Sequence, residues 1–409
     1  LFRSANKQPN IWLQDNIEID LDDFYPQDIE NVKTEIILHN LDINNYPIKE
    51  KLKLYCKKDV ELLIMVYRGL DTYLKEILNI DLFDYLTANM ISNYGFMTNL
   101  PNTLIKQQTK DKMITRLPRY THKQELYIRD AIIGGKAFPR IKYFKSKNEK
   151  NDYYIYFDIS GMYVSIMKNN PFPIDCPHWG NPAELQQILK LCQLPPTTKL
   201  ENGYYWNPEW DKIPFCIVDC LVELHPLEVE PPVGYKHNSN IIWDLKERQQ
   251  KYSNIALLLI LKNGGKIKSI NSGLIWDSNN TEYIFQQWMN KTLHLKKKGE
   301  ETGNNSLRVL GKLLGNSTYG SMLKHDSHMK IELIHNHQEK EQFLIEHSFN
   351  YLQQVKDDLY YIGGDKLDKS DYLSKSPIHL GVFILDYSKQ DRKSTRLNSS
   401  HANISYAVF

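Results

Sequence analysis

The chain is predicted to have a mixed α/β fold of the α+β kind. Three observations predict it. Runs with apolar residues three and four apart alternate with short runs rich in Val, Ile and Cys. The composition is 41% apolar and 24% charged, ordinary for a globular protein. The length, 409 residues, allows two or three domains with a sizeable core.

The elements follow in order. Residues 1 to about 50 are acidic and loop-rich, with Asp15, Glu18, Asp20, Asp22 and Asp23 close together. From Ile48 to Leu78 the spacing predicts a helix. Residues 106–150 hold thirteen Lys/Arg against four Asp/Glu, interleaved with Tyr120, Tyr127, Phe138, Tyr143 and Phe144. Such a stripe is either a footprint for a phosphate backbone or a solvated basic surface. "YFDISGMYVSIM" (Tyr156 to Met167) reads as a strand, a small-residue turn and an apolar run, ended by Pro171, Pro173 and Pro177. "FCIVDCLVEL" and "KIKSINSGLIW" are predicted strands. Between them, "DLKERQQKYSNIALLLILKNGG" is predicted as a helix closed by Gly264 and Gly265. Two helices joined by "TGNN" follow, then a polar stretch over 321–376 and an apolar element from Ile378. The last stretch, "DRKSTRLNSSHANISYAVF", shows no period that continues what precedes it. It resembles a translated sequencing adapter and is set aside as an artefact.

Several classes are excluded or left silent. The longest apolar run, "IALLLIL", is too short to cross a bilayer. Five cysteines without framework spacing suggest reduced thiols and an intracellular, non-secreted protein. Cys216 and Cys220 read as buried strand residues, because no second pair completes a zinc site. The chain opens without a signal peptide, as a fragment would. The net charge of +2 says nothing about partners.

Two constellations carry chemistry. In the second helix of the hairpin, Arg308, Lys312, Asn316 and Tyr319 are spaced to share one face. Leu307, Leu310, Leu313 and Leu314 are expected to pack on the other side. The cationic face suits a triphosphate, with Tyr319 to stack or line it; otherwise it is a solvated face. Asp158 ends a buried strand, where a carboxylate is costly unless it binds a metal or a partner. It either holds Mg²⁺ for phosphoryl transfer or caps the next helix. Gly161 permits a tight turn, and Tyr163 would lie beneath a sugar, leaving no room for a ribose 2′-hydroxyl.

"DISGMYVSIM" resembles motif A of family B DNA polymerases, and "LRVLGKLLGNSTYGSM" resembles their motif B, in the family's order. The Gly-Met-Tyr form, carrying Met162, is similar to the protein-primed branch of adenovirus and Polinton-like type. "YIRDAIIGGKAFP" resembles the linker motif between exonuclease and polymerase domains, "YCKKDVELL" the third exonuclease motif, and "HLGVFILDYSK" the element before motif C. The resemblance implies a right-hand palm and fingers with the C-terminal remnant of an RNase H-like 3′–5′ exonuclease domain. It implies metal ligation by Asp158, a steric gate at Tyr163, and triphosphate contacts from Lys312 and Arg308. One of Lys296, Lys297 and Lys298 would add another such contact. Gly161, Met162, Asn316 and Tyr319 would line the nucleotide. Gly134, Gly135, Lys136, Arg140, Ser317 and Gly320 would approach DNA. In the exonuclease, Asp59 would ligate metal and Tyr55 would orient water.

The implied partners are template and primer DNA, deoxynucleoside triphosphates, Mg²⁺ and a terminal protein primer, with no membrane. The implied compartment is the nucleus for an adenovirus-like element and otherwise the cytoplasm. The expected divisions are 1–105 exonuclease, 106–150 linker, 151–180 palm, 181–278 palm with a first insertion, 279–320 fingers, 321–376 a second insertion, 377–390 palm and 391–409 tail. The chain is expected to lack motif C and the first exonuclease motifs, and so to be inactive as it stands. The alternatives are a non-catalytic DNA-binding remnant of a mobile element, or an RNA polymerase or reverse transcriptase.

Overall fold

The computed structural model describes residues 48–84, 87–108, 113–115, 117–135, 161–200, 205–225, 231–238, 240–324, 329–357, 359–367, 373–374 and 376–398. The chain divides into two units, Leu1–Gly69 and Leu70–Phe409. In the first, the described residues belong to helix α1 (Ile48–Tyr73), which runs on into the second unit. The predicted helix is therefore present. Its apolar side chains Leu54, Val60, Leu62, Leu63 and Met65 are exposed.

The second unit begins with the end of α1 and a π-helical turn, Leu74–Leu78, closed by Asn79 in the left-handed region. Asp71 fixes this turn: it accepts from the Leu82 amide at 2.9 Å and from Lys75 at 2.8 Å. Helix α2 (Ala88–Thr98) starts where the Thr87 hydroxyl accepts from the Met90 amide. Helix α3 (His122–Asp130) carries a full capping box between Thr121 and Gln124. Helix α4 (Met162–Asn169) follows Gly161.

Strand β1 (His178–Trp179), helix α5 (Pro182–Gln193), strand β2 (Cys216–Glu223), strand β3 (Arg248–Ser253), helix α6 (Asn254–Lys262) and strand β4 (Lys266–Ile275) come next. The sheet order is β3-β2-β4-β1, antiparallel throughout. Cys216, Val218, Cys220 and Val222 alternate along β2 into one core, shared with Leu185 and Ile188 of α5 and Leu257 and Ile260 of α6. Cys216 and Cys220 are thus buried strand residues, and burial raises both thiols. Each fully buried aliphatic or aromatic side chain contributes about 1.5–3 kcal/mol.

The stretch predicted as one long helix is instead β3 followed by α6. Arg248–Ser253 pairs residue by residue with β2, from Arg248 opposite Val222 to Ser253 opposite Ile217. The Ser253 hydroxyl then accepts from the Ala256 amide and starts α6. The apolar stripe a helix needs begins only at Ile255, so the polar half takes the sheet edge.

Helices α7 (Gln286–Glu301) and α8 (Asn305–Met322) form the predicted hairpin. The 321–376 stretch has more order than its polar pattern predicts. Strands β5 (Met329–Ile334), β6 (Tyr351–Lys356) and β7 (Leu359–Asp365) form a β5-β7-β6 sheet, with helix α9 (His337–Glu346) against it on Ile334, Phe343 and Ile362. Helix α10 (Ile378–Asn398) does not stop at the expected break at Asp391; its backbone stays helical to Asn398. A second core joins α2, α4, α7, α8 and α10 through Phe96, Met167, Trp288, Leu314 and Phe383. Beside it, Tyr120, Pro173 and His379 are pinned together: the phenol lies 2.6 Å from His379 Nδ1 and the Pro173 carbonyl 3.0 Å from Nε2.

Candidate nucleotide site

The site is built where α4, α8 and α10 meet. Gly161 has φ of 70°, a left-handed conformation that costs other residues about 1–2 kcal/mol. It turns the chain so that Tyr163 lies in the first turn of α4. Helix α8 approaches α4 at Gly315, where a Cβ would stand 2.9 Å from Val164 Cγ2. One turn further along α8, Tyr319 reaches Tyr163. The two rings stack with centroids 4.6 Å apart and planes 2° from parallel. Burial pushes the Tyr319 phenol above its ordinary pKa, and the neighbouring Tyr163 and Asp386 add to that.

The predicted polar face of α8 is present. Arg308, Lys312 and Asn316 are exposed, Tyr319 is half-buried, and all four follow one stripe. Arg308 donates to Asn305 Oδ1 at 2.8 Å from Nη2 and 3.1 Å from Nε. Lys312 makes no ion pair among the described residues. Leu313, expected to pack inward, is instead 46% exposed, beside exposed Val309. The buried stripe of α8 is Leu307, Leu310, Gly311, Leu314, Gly315, Thr318, Ser321 and Met322. A residue just after Lys312 falls outside that stripe at 3.6 residues per turn. Ser317 is half-buried, and Gly320 faces open space. Lys296 and Lys297 each have a glutamate one turn on, at 3.7 and 3.5 Å, whereas Lys298 has no ion pair among the described residues.

An acid that the sequence reading left without a role lies on α10. Asp386 is 3% exposed. Its carboxylate accepts from the Ser253 hydroxyl and from Lys389, both at 2.6 Å. Its signal in the sequence is an acid inside the apolar run "GVFILDY".

Asp158, Lys136 and Arg140 lie outside the described residues. Met162 is half-buried at the start of α4. Gly134 and Gly135 follow α3, and a Cβ on Gly134 would make only ordinary contact with Ile241. Tyr55 and Asp59 sit one turn apart on α1, both exposed, in the first unit. Within the basic stripe, Arg129 is used internally. It pairs with buried Glu125 at 2.6 Å and donates to the Lys324 carbonyl past the end of α8 at 2.9 Å. Lys123 lies over the Trp179 ring. Among the described residues no group of three His, Cys, Asp or Glu is placed to hold a metal, and no helix is long and apolar enough to cross a membrane.

The family model for DNA polymerase type B, organellar and viral, matches residues 12–402. The chain is 22% identical over 300 residues to the DNA polymerase of snake adenovirus serotype 1, covering 68% of this chain and 26% of that protein. It is 26% identical over 208 residues to the DNA polymerase of canine adenovirus serotype 1 (strain CLL), covering 48% of this chain and 16% of that protein. Among solved structures it is similar to Phi29 DNA polymerase complexed with primer-template DNA, with a TM-score of 0.52, 17% identity, and coverage of 86% of this chain and 51% of that one. The chain therefore spans about a quarter or less of the length of these adenovirus relatives.

Proposed function

Because the chain belongs to the organellar and viral type B DNA polymerases and has their right-hand fold, we propose that it forms the nucleotide-binding part of a protein-primed, DNA-directed DNA polymerase. The observation that carries this is the Tyr163–Tyr319 stack at the foot of the helix bearing Arg308 and Lys312. The cations neutralise the triphosphate oxygens, Arg by a fork and Lys as a point charge. Tyr163 excludes a 2′-hydroxyl, and Tyr319 and Asn316 face the nascent base pair. Gly320, open on its surface, lets DNA pass closely, and Ser317, Gly134 and Gly135 are further DNA contacts of the same proposal, as are Lys136 and Arg140, which lie outside the described residues.

Mg²⁺ would supply charge neutralisation at the phosphates, with Asp158 as one ligand. The described residues do not complete such a site: Asp386 is engaged by Lys389 and Ser253. The described residues bind the nucleotide, orient it and select its sugar.

Priming from the hydroxyl of a terminal protein, replication of a linear DNA, and a 3′–5′ exonuclease using Tyr55 and Asp59 belong to the same proposal. So does the division into palm, fingers and two insertions, and a nuclear site of action for an adenovirus-like element. Primer extension by the full-length polypeptide tests it. Template-directed addition of deoxynucleotides is expected. Retention of DNA without any extension would instead favour a non-catalytic DNA-binding protein.

A further inference from the structure

The helix that carries Arg308 and Lys312 is held from its far side by a segment that precedes the linker. Four observations make that clasp. The Ser92 hydroxyl, fully buried on α2, donates to the Leu314 carbonyl in the middle of α8 at 3.0 Å. That carbonyl also accepts from Thr318 Oγ1, which in turn accepts from Trp288 Nε1 of α7 at 2.8 Å. Gly95 lies so close to Trp288 that a Cβ there would run into the indole ring. At the other end of α8, Asn304 caps the helix through its Oδ1 and donates from Nδ2 to the Tyr73 hydroxyl at 2.9 Å. Leu74, Leu78, Phe96, Trp288, Leu307 and Leu314 share one core.

A hydrogen bond aimed at a carbonyl inside a helix, from a buried serine on another helix, fixes the register between the two. The tyrosine contact fixes the tip. Both contacts avoid the polar face of α8: Ser92 reaches the carbonyl of buried Leu314, and Tyr73 the capping Asn304. We propose that the segment Leu70–Thr98 is a positioning element of the fingers: Tyr73 and Ser92 hold α8 at its tip and its middle, so that the Arg308/Lys312 face moves only together with this segment. The proposal rests on the nucleotide assignment of that face, and it makes Tyr73 and Ser92 positioning residues rather than ligands.

Hydrogen exchange by mass spectrometry on the full-length polypeptide tests it, using wild type, Gly95→Ala as a wedge at Trp288, and Tyr73→Phe as a conservative variant that leaves the fold intact. Without nucleotide, amides of α8 in Gly95→Ala are expected to exchange about fivefold faster, and those of α8 in Tyr73→Phe about twofold faster. Amides of α5, in the other core, should be unchanged. Binding of dATP should weaken by similar factors. In wild type, dATP should slow exchange over 70–98 together with α8. Unchanged α8 exchange in both folded variants overturns the clasp, and so does dATP protection confined to α8. If dATP protects neither segment, the nucleotide assignment fails, and the variant data alone decide whether the clasp exists.

Discussion

Tyr163 and Tyr319 lie face to face, 4.6 Å apart and within 2° of parallel, although one opens α4 and the other lies near the end of α8. An offset-stacked aromatic pair contributes about 0.5–1.5 kcal/mol beyond burial. Removing the Tyr163 ring forfeits that contact and the packing of a half-buried side chain on the core, and it opens a gap beside Tyr319. Tyr163→Ala in the full-length polymerase is expected to lower the preference for deoxy- over ribonucleotides by a factor on the order of 10². Incorporation ratios from single-nucleotide extension check this. An unchanged ratio removes Tyr163 from the sugar-selecting role.

The cation face predicts an asymmetry. Arg308 is already engaged by Asn305, whereas Lys312 has no ion pair among the described residues. A hydrogen bond to a charged group contributes about 1.5–3 kcal/mol. Lys312→Ala should raise the KM for deoxynucleotides by about tenfold or more. Arg308→Ala should have the smaller effect. Steady-state extension kinetics measure both.

The approach of α8 to α4 depends on Gly315. Gly315→Ala places a methyl 2.9 Å from Val164 Cγ2, an overpacking that costs about 1–3 kcal/mol. It should separate the tyrosine rings, raising KM several-fold while lowering the melting temperature by roughly 2–10 °C. Thermal unfolding and extension kinetics on the same variant distinguish the two effects.

Much of this was legible in the sequence, for a physical reason. The α8 face repeats at helical spacing, so spacing alone groups Arg308, Lys312, Asn316 and Tyr319. Gly161 marked a turn, and it has a positive φ. Leu313 faces outward against expectation, because hydrophobicity alone does not say which leucine faces the core when three neighbours also can. The β3–α6 boundary is hidden in the sequence, because Ser253, which ends the strand and caps the helix, looks like one more polar residue in a polar run. The role of Asp386 is not legible in the sequence, because its partners Ser253 and Lys389 are joined to it only by tertiary packing or by a single helical turn.

That buried pair has its own consequence. Asp386→Ala leaves the Lys389 ammonium without its acid, in a position where the Lys389 side chain is 8% exposed. Breaking a buried pair this way costs about 3–5 kcal/mol. Replacing both, as Asp386→Leu with Lys389→Met, is expected to be near neutral. Denaturant midpoints of the two variants measure the contrast.

His379 makes stability depend on pH. Its Nε2–H must donate to the Pro173 carbonyl, so Nδ1 accepts from Tyr120, and the ring is neutral. Burial holds its pKa down to about 3. The unfolded chain binds this proton below about pH 6.5, so the contribution is complete above that value. It falls by about 1.4 kcal/mol per pH unit on acidification towards the folded pKa. Between pH 7 and 5, wild type should lose about 2 kcal/mol more than His379→Gln. Urea unfolding at both pH values gives the difference.

In the proposed function, one deoxynucleotide sits between the first turn of α4 and the polar face of α8. Photocrosslinking with 8-azido-dATP, in the presence of primer–template DNA, tests it most directly. Labelled peptides are expected from residues 162–169 and 305–322, competed away by unlabelled dATP and weakened by Lys312→Ala. Competable labelling elsewhere, with both peptides unmodified, would contradict it.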